Sequence, residues 1–229
     1  EGQGSGRLGV MGQPVVGEAM QVARDVMLSE YLNIPIHIAH VSCRMSADII
    51  AWAKKRGAKV TAETTPHYLL LDESEMEGYN TLAKGNPPLR TPDDREAMRE
   101  AVKNGTIDII VTDHAPHIAM EKNTTLDLAP NGITGLDLSL TLIWSLVRDG
   151  VITEADLIRL MAEKPAEIFG LPCCRFNPGD PADFILFDPE LEWTVTPETL
   201  YSKSFNTPYL NKTVRGRTAH SWIGGVKLF

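Results

Sequence analysis

Short apolar strands alternate with helices along much of the chain, and this pattern constrains the fold more than any other feature. Runs that are mostly apolar or β-branched occupy 34–41, 59–65 and 107–112. Helical patterns start near Pro14 and Thr91, cover 135–148, and start again at the Thr153 capping box, and Ser42 is predicted to be the N-cap of a further helix that runs to about residue 55. Such alternation is typical of a parallel sheet or barrel, so we predict an α/β fold.

The two ends of the chain depart from this pattern. Glycines at 2, 4, 6 and 9 resemble a phosphate-binding loop, but no strand precedes them, so we predict a flexible or strand-linking segment. Turn formers are dense at 177–181, and short β-rich pieces follow at 183–187, 193–195 and 221–223. We therefore predict a domain boundary near residue 172, with a small β-rich domain over 173–229.

The composition excludes several classes of protein. With 30 Asp and Glu against 22 Lys and Arg, the net charge is −8, so nucleic acid and anionic membranes are not expected partners. Cys43, Cys173 and Cys174 are too few for a disulfide framework, which favours a cytoplasmic protein. No apolar run is long enough for a membrane span. The chain opens on Glu1, so we expect a processed protein or part of a longer one.

Polar residues stand where the predicted strands end. His40 closes the first strand, His67 follows the second and Asp113 follows the third. The carboxyl ends of parallel barrel strands meet at one mouth, so these side chains are predicted to converge. Imidazole and carboxylate suit zinc, which lowers the pKa of its bound water to about 7. From spacing alone, a metal site and separate structural histidines remain open alternatives.

Three other histidines are interpreted as structural. The separation of His37 from His40 is odd, so alternation along a strand would place them on opposite faces. His220 lies in the β-rich tail. His114 is expected to pack under Asp113, because ligating carboxylates are usually hydrogen-bonded.

Six short motifs occur in the order found in one enzyme family. They are His40-Val41-Ser42, Thr65-Pro66-His67, Asn86-Pro87-Pro88-Leu89-Arg90, Thr112-Asp113-His114-Ala115-Pro116-His117, Gly132-Ile133-Thr134-Gly135-Leu136 and Pro181-Ala182-Asp183. The tail Lys203-Ser204-Phe205-Asn206-Thr207-Pro208 extends the match nearly to the end of the chain. The chain thus resembles the class I type dihydroorotases, which are cyclic amidohydrolases of the amidohydrolase superfamily.

The resemblance implies a zinc-dependent, reversible hydrolysis of the cyclic amide of dihydroorotate to N-carbamoyl-L-aspartate, in de novo pyrimidine biosynthesis. It implies that His40 and His67 bind one zinc ion of two in the full-length enzyme. Asp113 would bind the other and act as general acid and base. A homodimer or an association with aspartate carbamoyltransferase is also implied.

The same resemblance implies a set of substrate contacts. Asn86 and His117 would hold the carboxylate and ring of dihydroorotate, and the backbone at Asn131 and Gly132 would contact the ring edge. Asn131 stands where the family usually has an aromatic residue. This departure makes the contact at Asn131 the weakest part of the set.

Other departures from the family pattern are motifs that this sequence lacks. The sequence has no His-x-His motif with a following substrate-binding Arg, and no candidate for the bridging carbamylated Lys. Four strand ends, at His40, His67, Asn86 and Asp113, correspond to the second half of a (β/α)8 TIM-like barrel. We therefore expect residues 1–172 to be the C-terminal half of such a barrel, followed by a small β-sandwich part, and the chain alone to be inactive.

Two alternatives remain from the sequence. Dihydropyrimidinases, hydantoinases and allantoinases share the metal chemistry but act on other rings. A metal-free, dihydroorotase-like subunit that scaffolds aspartate carbamoyltransferase is the alternative outside catalysis. The intact His40, His67 and Asp113 favour an enzyme.

Overall fold

The computed structural model describes residues 3–173 and 175–229, so Glu1, Gly2 and Cys174 lie outside the described residues. The helices are α1 (Gln3–Leu8), α2 (Val15–Leu32), α3 (Arg44–Lys55), α4 (Pro66–Leu70), α5 (Pro92–Lys103), α6 (Ala119–Lys122), α7 (Ser139–Arg148), α8 (Glu154–Ile158) and α9 (Lys164–Phe169). The strands are β1 (Ile36–Ile38), β2 (Val60–Thr64), β3 (Ile109–Ile110), β4 (Phe184–Thr194), β5 (Thr213–Ile223) and β6 (Val226–Lys227). A π-helical turn covers Arg159–Glu163, and 3₁₀ turns cover Glu73–Tyr79, Thr81–Ala83 and Pro197–Thr199.

The first sheet is parallel, with strand order β1-β2-β3, which confirms the parallel pairing predicted from the alternation. Its strands and helices enclose an apolar core that includes Val26, Ile50, Met98, Ile107 and Ile143. Because the strands run in the same direction, their carboxyl ends lie at one edge of the sheet. Among the helices of the described ranges, none has the length and apolarity needed to cross a membrane.

The strands are shorter than predicted, and this corrects one expectation. β1 stops at Ile38 and β3 has only two residues. Asn86 follows the 3₁₀ turn Thr81–Ala83 instead of a strand, and Pro87 and Pro88 come next, without the N–H groups that a strand ladder needs. The expectation of a strand ending at Asn86 is therefore wrong, and the described residues supply three parallel strands.

Two helix starts agree with the sequence. Thr91 accepts the Asp94 backbone N–H, and the Asp94 carboxylate accepts in return, which completes a capping box at α5. Thr153 and Asp156 do the same at α8. The predicted helix from Thr153 extends further than expected, since the π-helical turn connects α8 to α9.

Two other local predictions are wrong. α3 begins with Cys43 at its N-cap position, because the hydroxyl of Ser42 instead donates to the carboxylate of Glu18 on α2. Gly4 and Gly6 lie in α1 and not in a flexible or strand-linking segment. α1 lies beside the Glu73–Tyr79 turn, and Gly4 is buried there, where an added Cβ would lie 2.8 Å from the Glu73 carboxylate. The helix therefore forms in tertiary contact with this turn, despite the poor helix propensity of glycine.

The C-terminal region forms an antiparallel sheet, β4-β5-β6. The separately predicted pieces at 183–187 and 193–195 belong largely to one strand, β4. Its pairing with β5 shifts register between Leu186 and Phe187 and again between Asp188 and Glu192, and these shifts interrupt the alternation. This sheet packs on α7, where Thr141 Oγ1 donates to the Gly216 carbonyl at 2.8 Å. The second sheet of the predicted β-sandwich is not among the described residues.

Candidate metal centre and active site

The three predicted metal ligands converge at the carboxyl ends of the parallel strands. His40 Nε2 lies 3.7 Å from Asp113 Oδ1, and His67 Nε2 lies 4.0 Å from Asp113 Oδ2. His40 and Asp113 both have positive φ, +56° and +45°, immediately beyond β1 and β3. Left-handed backbone at non-glycine residues is strained and clusters at functional sites. The chain therefore accepts strain where these two side chains turn towards each other.

Glu63 on β2 connects two histidines in a way that the sequence analysis missed. Its Oε2 lies 2.9 Å from His37 Nε2, and its Oε1 lies 3.0 Å from His40 Nδ1. The other ring nitrogen of His37 lies 2.8 Å from Thr61 Oγ1. The prediction that His37 and His40 face opposite sides is wrong, because β1 ends at Ile38 and strand alternation no longer applies beyond it.

Burial and charge perturb this cluster strongly. Burial raises the pKa of Glu63, but hydrogen bonding by His37 and the contact with His40 outweigh it and lower the value to about 2. The contact with Glu63 is in turn the largest cause that raises the pKa of His40, against an opposing effect of burial. Glu63 is therefore ionised under ordinary conditions and favours a protonated or metal-bound imidazole at His40.

His67 is the most enclosed of the three, with 5% of its surface exposed. Burial, with a smaller contribution from His40, lowers the pKa of His67 to about 3. Its ring is therefore neutral, the form in which an imidazole nitrogen binds metal. Burial, aided by the charge of Glu63, raises the pKa of Asp113 despite the opposing effect of His40. A carboxyl group with a raised pKa is better able to carry a proton near neutral pH.

The chemistry of these donors fits zinc, but the set is incomplete. His67 Nε2 is buried and makes no hydrogen bond among the described residues. His40 directs Nε2 at Asp113 because its Nδ1 contacts Glu63, and nitrogen with carboxylate oxygen suits zinc. Within 3–173 and 175–229, however, no group of three or more His, Cys, Asp or Glu side chains is arranged to hold a metal ion. The donors present have the chemistry that a zinc ion prefers, but among the described residues they do not by themselves form a site for one.

The predicted substrate-binding residues His117, Asn131 and Gly132 lie together. His117 Nε2 is 2.9 Å from the Asn131 carbonyl oxygen, and Nδ1 is 3.2 Å from Glu121 Oε2. Gly132 has φ +148°, and an added Cβ would lie 2.8 Å from Ala115 Cβ and 2.9 Å from His117 Cδ2. Only glycine fits here, so two site loops are in direct contact.

Asn86 lines the same cleft as His40. Both line a cleft of about 550 Å³, together with His37 and Arg90, and the peptide bond from Asn86 to Pro87 is cis. Asn131 lines a separate cavity of about 350 Å³. The structure therefore brings Asn86 to the cleft beside His40, and the segment just before it also contacts the other group, since the N–H of Gly132 donates to the Lys84 carbonyl at 2.9 Å.

Arg90, the last residue of the motif that contains Asn86, is committed to structural bonds. It is 9% exposed and donates to Ser42 Oγ at 3.0 Å, to the Gln13 carbonyl at 2.7 Å and to Glu18 Oε2 at 3.1 Å. A buried guanidinium needs such partners to offset its desolvation. Arg90 therefore fixes α2 against the strand ends.

The two remaining histidines have backbone partners. His114 does not pack under Asp113 as expected, because its Nδ1 accepts from the N–H groups of Gly135 and Leu136 at 3.3 and 3.2 Å. His220 Nδ1 lies 3.2 Å from the Phe229 carbonyl oxygen, consistent with a structural role.

Known proteins provide an independent comparison. The model of the amidohydrolase family matches residues 21–227. Curated relatives called dihydroorotase include those of Syntrophotalea carbinolica (48% identical, covering 95% of this chain and 51% of that protein) and Geobacter metallireducens (49% identical, covering 98% and 53%). The chain therefore spans about half the length of the curated relatives it matches.

Solved structures share the fold. The dihydropyrimidinase from Brevibacillus agri NCHU1002 superposes with a TM-score of 0.86 at 24% identity, and the L-hydantoinase (dihydropyrimidinase) from Arthrobacter aurescens with 0.86 at 26%. Each match covers 94% of this chain and 49% of the other. With the family model matching nearly the whole sequence, the chain belongs to the amidohydrolase family.

Proposed function

We propose that this chain is the C-terminal half of a dihydroorotase, which interconverts dihydroorotate and N-carbamoyl-L-aspartate in de novo pyrimidine biosynthesis. The convergence of His40 and His67 on Asp113 at the strand ends is the observation that carries this proposal. Relatives called dihydroorotase, at 48% and 49% identity, support the choice of substrate.

The cofactor of the proposed enzyme is zinc, with two ions in the full-length protein. His40 and His67 would hold one ion, and Asp113 the other. Bound zinc would supply Lewis acidity, which lowers the pKa of water and polarises a carbonyl group. Glu63 would hold the His40 ring in place through Nδ1, as carboxylates commonly do for ligating histidines.

The chain's own residues would then handle the substrate and one proton. Asp113 takes the proton of the attacking water and returns it to the ring nitrogen that departs, for which its raised pKa is suitable. The His117 ring contacts the Glu121 carboxylate in this structure, and the substrate carboxylate, which carries the same charge, would replace Glu121 as its partner. Asn86 and the backbone at Asn131 and Gly132 would orient the ring.

The proposed full-length fold is a (β/α)8 TIM-like barrel with a small β-sandwich. Residues 1–172 would form the C-terminal half of the barrel and 173–229 the β-rich part. In the described ranges no three His, Cys, Asp or Glu side chains are arranged to hold one metal ion, so ligands from the other half would complete the site. We therefore expect residues 1–229 alone not to turn over dihydroorotate.

A second candidate is another cyclic amidohydrolase. A D-hydantoinase structure matches with a TM-score of 0.84 at 27% identity, and hydantoins and dihydropyrimidines are cyclic amides too. Dihydropyrimidinase and allantoinase belong to the same group of candidates. Outside catalysis, the candidate is a metal-free subunit that scaffolds aspartate carbamoyltransferase. The partner of an active enzyme would be a second copy of the enzyme or aspartate carbamoyltransferase.

A substrate panel separates these candidates. The full-length protein, loaded with zinc, would be assayed on dihydroorotate, dihydrouracil, hydantoin and allantoin under the same conditions. Turnover of dihydroorotate well above the other three is the expected result. A preference for another ring would favour the second candidate, and zinc that binds without turnover of any ring would contradict the proposed activity.

A further inference from the structure

A buried asparagine in the C-terminal segment holds the site loops together. Asn206 is 3% exposed and lies far along the chain from any predicted site residue. Its Nδ2 donates to the carbonyl oxygens of Ala115 and Gly132, each at 3.0 Å. Its Oδ1 accepts from the backbone N–H of His117 at 2.9 Å and from Thr134 Oγ1 at 3.4 Å. Both donors and both acceptor positions of the amide are therefore used.

The backbone of the same residue adds a further connection. The Asn206 carbonyl oxygen accepts from the N–H of Thr134 at 3.0 Å. The loop with Ala115 and His117 also bonds directly to the other loop, since the N–H of Ala115 donates to the Ile133 carbonyl at 3.1 Å. Three segments distant in sequence thus meet at one side chain.

These contacts place Asn206 beside the substrate-binding residues without making it one of them. It fixes the main chain of His117, and it fixes the Gly132 carbonyl, whose neighbour Asn131 accepts from the His117 ring. We propose that Asn206 is a positioning residue, which sets the distance between the His117 loop and the Asn131–Gly132 loop for binding of the dihydroorotate carboxylate and ring. This inference rests on the proposed function.

The C-terminal segment has other anchors, so Asn206 is not needed merely to attach it. The N–H groups of Tyr201 and Ser202 donate to the carboxylate of Asp137 at 2.9 and 3.3 Å, and the Ser202 hydroxyl donates to it as well. Asp137 lies just before α7, and no predicted site residue takes part. Ser202 therefore offers a matched control, in the same segment but outside the site loops.

The test uses Asn206→Asp and Ser202→Ala in the full-length zinc-loaded enzyme. Aspartate keeps the size and the acceptors but loses both donors, and its charge would face two carbonyl oxygens. We expect Asn206→Asp to raise KM for dihydroorotate by about 10-fold while kcat changes less, since displacement of binding groups is costly. Ser202→Ala should leave KM unchanged. Hydrogen exchange over 113–117 and 130–134 should accelerate in Asn206→Asp only.

The outcomes separate the inference from the proposed function. Equal KM values and equal exchange in both variants would overturn the positioning role. If the wild-type enzyme turns over no dihydroorotate, the proposed function fails, and the exchange comparison alone then decides whether Asn206 positions the loops. If Asn206→Asp does not fold, Asn206→Ser is measured in the same way. Failure of both to fold, with Ser202→Ala folded, would show a purely structural role.

Discussion

Gly132 shows how one backbone position can limit the geometry of a site. It has φ +148°, and a methyl group there would meet the side chain and carbonyl of Ala115 and the ring of His117 within 2.9 Å. We expect Gly132→Ala in the full-length protein to lower the free energy of unfolding by about 2–4 kcal/mol, from backbone strain plus overpacking. Urea unfolding measures the change.

Gly17 provides the matched control. It lies in α2 with no atom within 4 Å of an added Cβ and without a positive φ. Gly17→Ala is expected to stabilise the protein by about 0.5–1 kcal/mol, because alanine is the better helix former. Equal effects of the two substitutions would contradict the close contact at Gly132.

Glu63 supports a second prediction at the same scale. Its carboxylate lies against His40 Nδ1, so the amide of Glu63→Gln would lose the charge that holds this ring. We expect zinc affinity to fall by about 10–100-fold, the usual effect of removing such a partner. Competition with a chromophoric chelator measures the affinity. Glu100→Gln on the exposed face of α5 is the control, and an equal loss in both variants would refute the role of Glu63.

Residue types at strand ends indicated some residues of this site but not the hydrogen bonds that connect them. His40 and Asp113 were predictable, because polar side chains after apolar strands stand out. Glu63 was not, since its position inside β2 resembles any other strand position. Its two histidine contacts depend on β1 stopping at Ile38 and on the left-handed backbone of His40, which no short sequence pattern specifies.

Among the local elements, the 3₁₀ turn Glu73–Tyr79 depends on a charge. Its N-cap residue Asp72, 8% exposed, accepts from the N–H and hydroxyl of Ser74 at 3.0 and 2.6 Å and from Arg95 Nη1 at 2.6 Å. Burial opposes ionisation, but the bonds from Ser74 and the charge of Arg95 outweigh it and lower the pKa of Asp72. Asp72 therefore links this turn to α5.

The lowered pKa of Asp72 determines the direction in which the stability of the protein changes with pH. The ionised Asp72 stabilises the folded protein at pH values above 3.8, the ordinary pKa of the group. This contribution is lost as the pH falls through the lower pKa that Asp72 has in the folded protein. We expect Asp72→Asn to cost about 1–3 kcal/mol at pH 7, as for charged hydrogen bonds, and less at pH 3. Urea unfolding at both values, with the exposed Asp48→Asn as control, checks this. A cost independent of pH would exclude the charge as its cause.

Elements governed by local chemistry were predictable, and elements governed by tertiary contact were not. The capping boxes at Thr91 and Thr153 are complete within four residues of sequence, so the pattern alone locates α5 and α8. Ser42 is also a residue type that favours an N-cap, yet its hydroxyl donates to Glu18 on another helix. α1 likewise forms in a glycine-rich segment beside the Glu73–Tyr79 turn.

For the whole molecule, the parallel pairing of β1, β2 and β3 was predictable from the alternation of strands and helices, but their order in the sheet was not predicted. The approach of the C-terminal segment to the site did not. Asn206 contacts loops 72 to 91 residues away in sequence. Such contacts depend on how the β4-β5-β6 sheet packs against α7, which local sequence patterns do not contain. The motif around Asn206 was visible, but its bonds were not.

In the proposed enzyme, Asp113 carries the proton in a metal-dependent hydrolysis of dihydroorotate. The most direct measurement is kcat and zinc content for the full-length protein and its Asp113→Asn variant. We expect dihydroorotate turnover by the wild type, and a fall in kcat of about 10²–10⁴-fold in a variant that folds and keeps zinc at His40 and His67. Unchanged turnover in Asp113→Asn, or wild-type turnover that survives complete removal of zinc, would contradict it.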